Sequence, residues 1–138
     1  MKNIYLIASA AIVLGACWGA PPNEKILAQQ CYDLFDGDAR TEGMVRTDAR
    51  SDLDGFCACY AAKVVGTPDL IDLHKDILVS MNEAKGEGSD VEAAAEQVEA
   101  MTQDGRIDTF TGDDLDALGD YFRDLTVDMS GADGSCPA

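Results

Sequence analysis

Apolar side chains recur at helical spacing through the middle of the chain. Between residues 53 and 64 they fall three or four positions apart, the stripe that one face of a helix presents to a core. Those positions are Leu53, Phe56, Cys57, Tyr60, Ala61 and Val64. This stripe predicts a helix at 52–65. Similar stripes predict helices at 24–35 and 68–85, and two further helices that contain the apolar positions of 91–101 and 115–129.

Helix start signals precede three of these stripes. Thr67-Pro68-Asp69 combines a capping hydroxyl, a proline at the first turn and an acid. Two further pairs have the spacing of a capping box, in which the two residues bond each other's backbone N–H groups. The pairs are Ser89 with Glu92 and Thr111 with Asp114.

The segments between the stripes are polar and carry no strand-like alternation. Residues 37–50 show neither apolar period and are expected to form a flexible loop. Residues from 130 onward form a Gly-rich C-terminal tail, which stays ordered only if Cys136 holds it. The sequence therefore predicts an all-α fold, a small bundle of four or five short helices.

The strongly negative net charge of the chain limits the kinds of partner that we expect it to bind. The 138 residues carry 26 acids against 10 bases, a net charge of −16, while 46% are hydrophobic. That apolar content suits one folded domain. A field of this sign repels nucleic acid and anionic lipid headgroups, so no nucleic-acid partner is expected.

The first 17 residues look like an export signal. A short basic segment, Met1-Lys2-Asn3, precedes an apolar run at 4–16 that is too short to span a bilayer as a helix. It ends in Leu14-Gly15-Ala16-Cys17, which resembles the lipobox of bacterial lipoproteins. The resemblance implies cleavage before Cys17, diacylation of its thiol and anchoring to a membrane. Trp18, rather than Asp, follows the cysteine, which by the same resemblance implies the outer membrane.

The expected organisation follows from that signal. Residues 1–16 are a signal peptide, 17–23 a lipidated tether with two prolines, and 24–138 a single helical domain on the periplasmic side. The alternative is an ordinary secretory signal cleaved near Ala16 or Ala20, which would leave a secreted or soluble periplasmic protein.

Export also changes the role of the cysteines, since an oxidising compartment favours disulfides. With Cys17 acylated, Cys31, Cys57, Cys59 and Cys136 allow three pairings. Cys31 and Cys57 each lie on an apolar stripe. Cys59 diverges from Cys57 by about 200° around the same helix. We therefore predict the pairs Cys31–Cys57 and Cys59–Cys136.

Two other chemistries remain as alternatives for the cysteines and the only histidine. Cys57 and Cys59 would be the dithiol of an envelope thiol-disulfide oxidoreductase, although one residue separates them where thioredoxin-type enzymes have two. His74 lies on its helix's apolar stripe, and Leu70 and Leu78 occupy the positions four residues away. It is therefore assigned to the edge of the core, and no catalytic residue is predicted.

A third alternative is weak calcium binding. Asp104-Gly105-Arg106-Ile107-Asp108 resembles the middle of an EF-hand loop within residues 100–116. In that alignment Ala100 replaces the first acid and Thr111 the bidentate glutamate, so only Asp104 and Asp108 remain as metal ligands. The favoured hypothesis is a non-enzymatic envelope lipoprotein without a cofactor, a structural or protein-interaction module with an unknown envelope protein as partner.

Overall fold

The computed structural model describes residues 22–86 and 90–138. These residues contain six α-helices and no β-strand, which confirms the all-α class. The helices are α1 (Pro22–Phe35), α2 (Ala39–Thr47), α3 (Leu53–Val65), α4 (Pro68–Lys85), α5 (Val91–Gln103) and α6 (Gly112–Gly131). The signal peptide at 1–16, Cys17 and Ser89 lie outside the described residues. None of the six helices is both long and apolar enough to cross a membrane.

Helix α2 corrects the prediction of a flexible loop at 37–50. The Asp38 carboxylate accepts a hydrogen bond from the Thr41 backbone N–H (2.8 Å) and so caps the helix. Of its nine residues only Val45 is buried, and the neighbouring Met44 packs against the core while partly exposed. One buried position creates no repeating stripe, so periodicity alone does not reveal the helix.

Helices α1 and α4 lie side by side and run in the same direction. Lys75 Nζ donates to Asn23 Oδ1 (3.3 Å) and Asn82 Nδ2 to the Gln30 carbonyl (2.9 Å), both across 52 residues of sequence. Lys85 Nζ donates to the Asp36 carbonyl (2.8 Å) at the end of α1. This cation stabilises the carbonyl end of the neighbouring helix.

The core is centred on the side chain of Phe122 from α6. Its ring lies 4.9 Å from that of Phe35, 6.2 Å from Phe56 and 4.6 Å from Tyr60, measured between centroids. Burying an aromatic side chain of this kind contributes about 1.5–3 kcal/mol. This contact joins α6 to α1 and α3.

Two disulfides connect the helices as predicted. Cys31–Cys57 joins α1 to α3, with Cα atoms 5.6 Å apart. Cys59–Cys136 joins α3 to the C-terminal segment, with Cα atoms 5.3 Å apart. Helix α6 continues to Gly131, so the tail expected from 130 begins slightly later. The segment beyond it is held by Cys136 and by an ion pair from Arg50 to Asp133 (2.8 Å).

The helix starts agree with two of the three predicted signals. Thr111 and Asp114 form the predicted capping box. Helix α4 does begin at Pro68, although the Thr67 side chain makes no capping hydrogen bond. Helix α5 is capped by Asp90, which accepts from the Ala93 N–H (2.7 Å). Helix α1 begins at Pro22, two residues earlier than predicted and within the expected tether.

Candidate functional site

Helix α5 packs chiefly against α4 and contacts α6 less, which leaves an opening beside α6. Only Ala94 and Val98 of α5 are buried. The start of α6 approaches the end of α5 closely, since a methyl group at Gly112 would lie 3.9 Å from Glu99 Cγ. Between these helices is a cavity of about 750 Å³, here named the α5–α6 cleft.

The floor of the α5–α6 cleft is apolar. It consists of side chains contributed by α1, α4 and α6, namely Leu34, Phe35, Met81, Leu118 and Phe122. Four less buried apolar residues line the walls, namely Met44, Val91, Ala95 and Leu115. The methionines can adjust their shape, since the thioether chain is unbranched and polarisable. The floor itself is buried, so the apolar surface that the cleft offers to solvent comes from the four half-buried wall residues.

Carboxylates line both walls of this cleft. Glu92, Glu96 and Glu99 lie at helical spacing on α5, and Asp116 and Asp120 do so on α6. Arg40 pairs with Glu92 (2.7 Å). Arg123, the only basic residue in the described part of the lining, pairs with Asp120 (2.9 Å). No cation of the described residues pairs with the remaining three, Glu96, Glu99 and Asp116. Their negative charge is available to a ligand.

Asp38 joins α2 to α5 through Thr41 and Val91, two residues that line the cleft. Its Oδ1 accepts from the Thr41 N–H (2.8 Å) and its Oδ2 from the Val91 N–H (3.0 Å), so one carboxylate caps two helices. Burial raises the pKa of Asp38, but the hydrogen bonds from Thr41 and Val91 outweigh it, and the pKa lies below its usual value. The carboxylate is therefore ionised at neutral pH and holds α2 against α5.

A more polar hollow of about 1170 Å³ adjoins the α5–α6 cleft at the corners between α1 and α2 and between α4 and α5. It shares five lining residues with the cleft, namely Thr41, Met44, Val91, Glu92 and Ala95. The described lining of this hollow is more polar than that of the α5–α6 cleft, so the cleft is the better candidate for binding an apolar group.

The predicted cysteine site is divided between two bridges. Cys57 and Cys59 are both buried and each bonds a different partner, so they do not form a dithiol pair. Cys136 is the exposed member of its bridge. This arrangement agrees with structural disulfides and offers no support for the oxidoreductase alternative.

His74 is buried as expected, but it has a partner that the sequence did not reveal. Tyr60 Oη lies 2.8 Å from His74 Nδ1, and the Tyr121 ring packs edge-on against both rings. Burial lowers the pKa of His74 and raises that of Tyr60. Tyr60 is 14 residues away in sequence, beyond the positions that helical spacing connects.

Asp104 and Asp108 lie in the exposed turn between α5 and α6. Both Asp104 oxygens accept from Arg106 Nε (2.9 Å each), and this hydrogen bonding lowers the pKa of Asp104. Across residues 22–86 and 90–138, no group of three or more His, Cys, Asp or Glu side chains is placed to hold a metal ion. The calcium alternative therefore gains no support from this turn.

The acids of the α5–α6 cleft were not predicted as a site. The available signal was the spacing of Glu92, Glu96 and Glu99 beside the Ala-rich stripe of α5. Comparisons with protein-family models, curated proteins and solved structures found no match for this chain. The functional proposal therefore depends on the chain's own residues.

Proposed function

We propose that this protein is a cell-envelope lipoprotein, anchored through Cys17 to the outer membrane, whose helical domain binds a segment of another envelope protein in the α5–α6 cleft. The observation that carries the proposal is the cleft, in which half-buried apolar side chains (Met44, Val91, Ala95 and Leu115) face the opening above a buried apolar floor and between two acidic walls. Exposed apolar surfaces with polar rims are typical of interaction sites.

The composition of the lining favours binding over catalysis. Among the described residues it contains no histidine, serine or cysteine, the commonest general base and the commonest nucleophiles. The buried His74 and the four bridged cysteines serve the packing of the bundle. The calcium and oxidoreductase alternatives are not proposed, because Asp104 is paired with Arg106 and Cys57 and Cys59 belong to separate bridges.

Site-specific photo-crosslinking in the producing cell tests the docking proposal. A photoreactive residue replaces Glu96 in the cleft, and a matched control replaces Val127, which is 66% exposed and does not line it. We expect a discrete crosslinked species from the Glu96 position alone, and its loss when Gly119→Leu fills the cleft. Equal crosslinking from both positions, or a product that persists with Gly119→Leu, would refute docking in the cleft.

The Gly119→Leu substitution has a matched control within the same fold. A Cβ at Gly119 or at Gly43 meets no atom within 4 Å, and both glycines lie inside helices. Gly119 lines the cleft and Gly43 does not. Gly43→Leu should therefore leave the crosslink unchanged.

The anchor is tested separately, by mass spectrometry of the mature N-terminus. A diacylated Cys17 and release of the Cys17→Ser protein from membranes are the expected results. A mature chain that begins at another residue would contradict the lipoprotein assignment without affecting the cleft.

A further inference from the structure

The chemistry of the α5–α6 cleft restricts which partner segment it suits. On the basis of the proposed function, we infer that the bound segment is a cationic amphipathic helix of another protein. Its apolar face would contact the half-buried Met44, Ala95 and Leu115, which lie above the buried floor. Its Lys or Arg side chains would lie beside Glu96, Glu99 and Asp116. Amphipathic helices that bind in apolar grooves are a common mode of peptide recognition.

Charge complementarity is the first reason. The described residues that line the cleft include five carboxylates and one cation, that of Arg123, which already pairs with Asp120. Like charges on two walls of one cleft repel each other, and cations between them relieve that repulsion. An apolar segment without charge would fill the floor but leave the carboxylates of both walls unpaired.

The dimensions of the walls are the second reason. Glu92, Glu96 and Glu99 occupy two turns of α5, which is about 10 Å at 1.5 Å per residue. That length suits apolar anchors at positions i, i+3 or i+4 and i+7 of a ligand helix. The flanks of such a helix place side chains on both sides of the apolar stripe, facing both acidic walls.

Two other occupants fit this charge less well. A second copy would bring its own net charge of −16 toward the carboxylates. A lipid surface rich in anionic headgroups would be repelled in the same way. The negative field of the cleft disfavours both of these occupants and attracts a positively charged partner segment.

The test uses the mature, disulfide-bonded protein and three fluorescent peptides of equal length, read by fluorescence anisotropy. One is a helix with Leu on one face and Lys on its flanks, the second replaces each Lys by Glu, and the third scrambles the first so that its apolar face is lost. We expect saturable binding of the first alone, with affinity that falls as salt rises. Gly119→Leu should abolish this binding and Gly43→Leu should not.

Two variants of equal net charge identify the carboxylates that bind the cationic peptide. The first carries Glu96→Gln, Glu99→Gln and Asp116→Asn. The control carries Asp72→Asn, Asp76→Asn and Glu83→Gln, which neutralise exposed acids of α4 outside the cleft. Loss of three ion pairs should weaken binding roughly tenfold in the first variant and little in the control. Equal weakening in both would overturn the inference, because bulk charge alone would then explain the binding.

The remaining outcomes separate this inference from the docking function. Binding of the Glu peptide as tight as that of the Lys peptide, both abolished by Gly119→Leu, would retain the docking site and overturn the cationic partner. Failure of all three peptides to bind would also overturn it, while the crosslink from position 96 judges docking independently. A dimer that Gly119→Leu dissociates would assign the cleft to a second copy.

Discussion

Asp38→Ala should destabilise this bundle more than removal of any ordinary helix cap. The Asp38 carboxylate accepts from the first turns of both α2 and α5 and is only 8% exposed. Helix α2 has nine residues and one buried side chain, so it is too short to persist by its own propensity. Without Asp38, the N–H groups of Thr41 and Val91 both lose their acceptor.

The magnitude follows from the number of bonds lost. A hydrogen bond to a charged group contributes about 1.5–3 kcal/mol, and Asp38→Ala removes two of them. Because water can partly replace the lost acceptor, we expect the free energy of unfolding to fall by about 3 kcal/mol, the lower end of that sum. Asp52 and Asp90 are matched controls, because each accepts one N–H within its own helix. Replacing either by Ala should cost about 1 kcal/mol.

Urea unfolding followed by far-ultraviolet circular dichroism measures these free energies. In a domain of this size, 3 kcal/mol should correspond to a lowering of Tm by roughly 10 °C. If Asp38→Ala costs no more than Asp90→Ala, the carboxylate does not link the two helices and the reasoning is refuted.

The difference in unfolding free energy between the wild type and Asp38→Ala should depend on pH in a definite direction. The pKa of Asp38 is lower in the folded protein than in the unfolded chain, so its stabilisation is present above the unfolded pKa of about 3.9 and is lost as pH falls through the folded pKa. The gap between the wild type and Asp38→Ala should therefore narrow below about pH 4. A gap that stays constant down to pH 2 would contradict the ionised cap.

Three further substitutions probe the core, α6 and the tail. Tyr60→Phe leaves His74 Nδ1 without its partner and should lower the free energy of unfolding, measured in urea, by about 1–2 kcal/mol. Because burial lowers the pKa of His74, the stability of the wild type should fall as pH drops below about 6.5. His74→Phe should remove this dependence on pH. Gly119→Ala, whose methyl meets no atom within 4 Å, should raise the free energy of unfolding by about 0.5–1 kcal/mol, where a loss would show that α6 is strained there. Replacing Cys59 and Cys136 together by Ala opens a loop of 77 residues and should cost about 4 kcal/mol, so an unchanged midpoint would refute the entropic account.

Local periodicity was sufficient for the long helices and for the disulfides. Cys31 and Cys57 each lie on an apolar stripe, and both proved to be buried and bonded to each other. Cys59 points away from Cys57 around α3, which left Cys136 as its partner. These predictions succeeded because each used the direction of one side chain on one helix.

The features that were missed depend on contacts between distant segments. Helix α2 owes its start to a carboxylate that also caps α5, 53 residues away from Asp38. The hydrogen bond from Tyr60 to His74 requires α3 and α4 to lie against each other. The floor of the α5–α6 cleft combines side chains of α6 with others from α1 and α4, which are distant in sequence. No window of neighbouring residues contains this information.

The two walls of the α5–α6 cleft should differ in mobility. Helix α5 buries only Ala94 and Val98, whereas α3 buries six side chains and takes part in both disulfides. Segments with few buried contacts open locally at a lower free energy than the core. In native-state hydrogen exchange, we therefore expect the amides of α5 to exchange before those of α1 and α3, and to slow when a ligand occupies the cleft. Equal protection of α5 and α3 would mean that the cleft is rigid on both sides, and its occupant would then have to fit the existing shape.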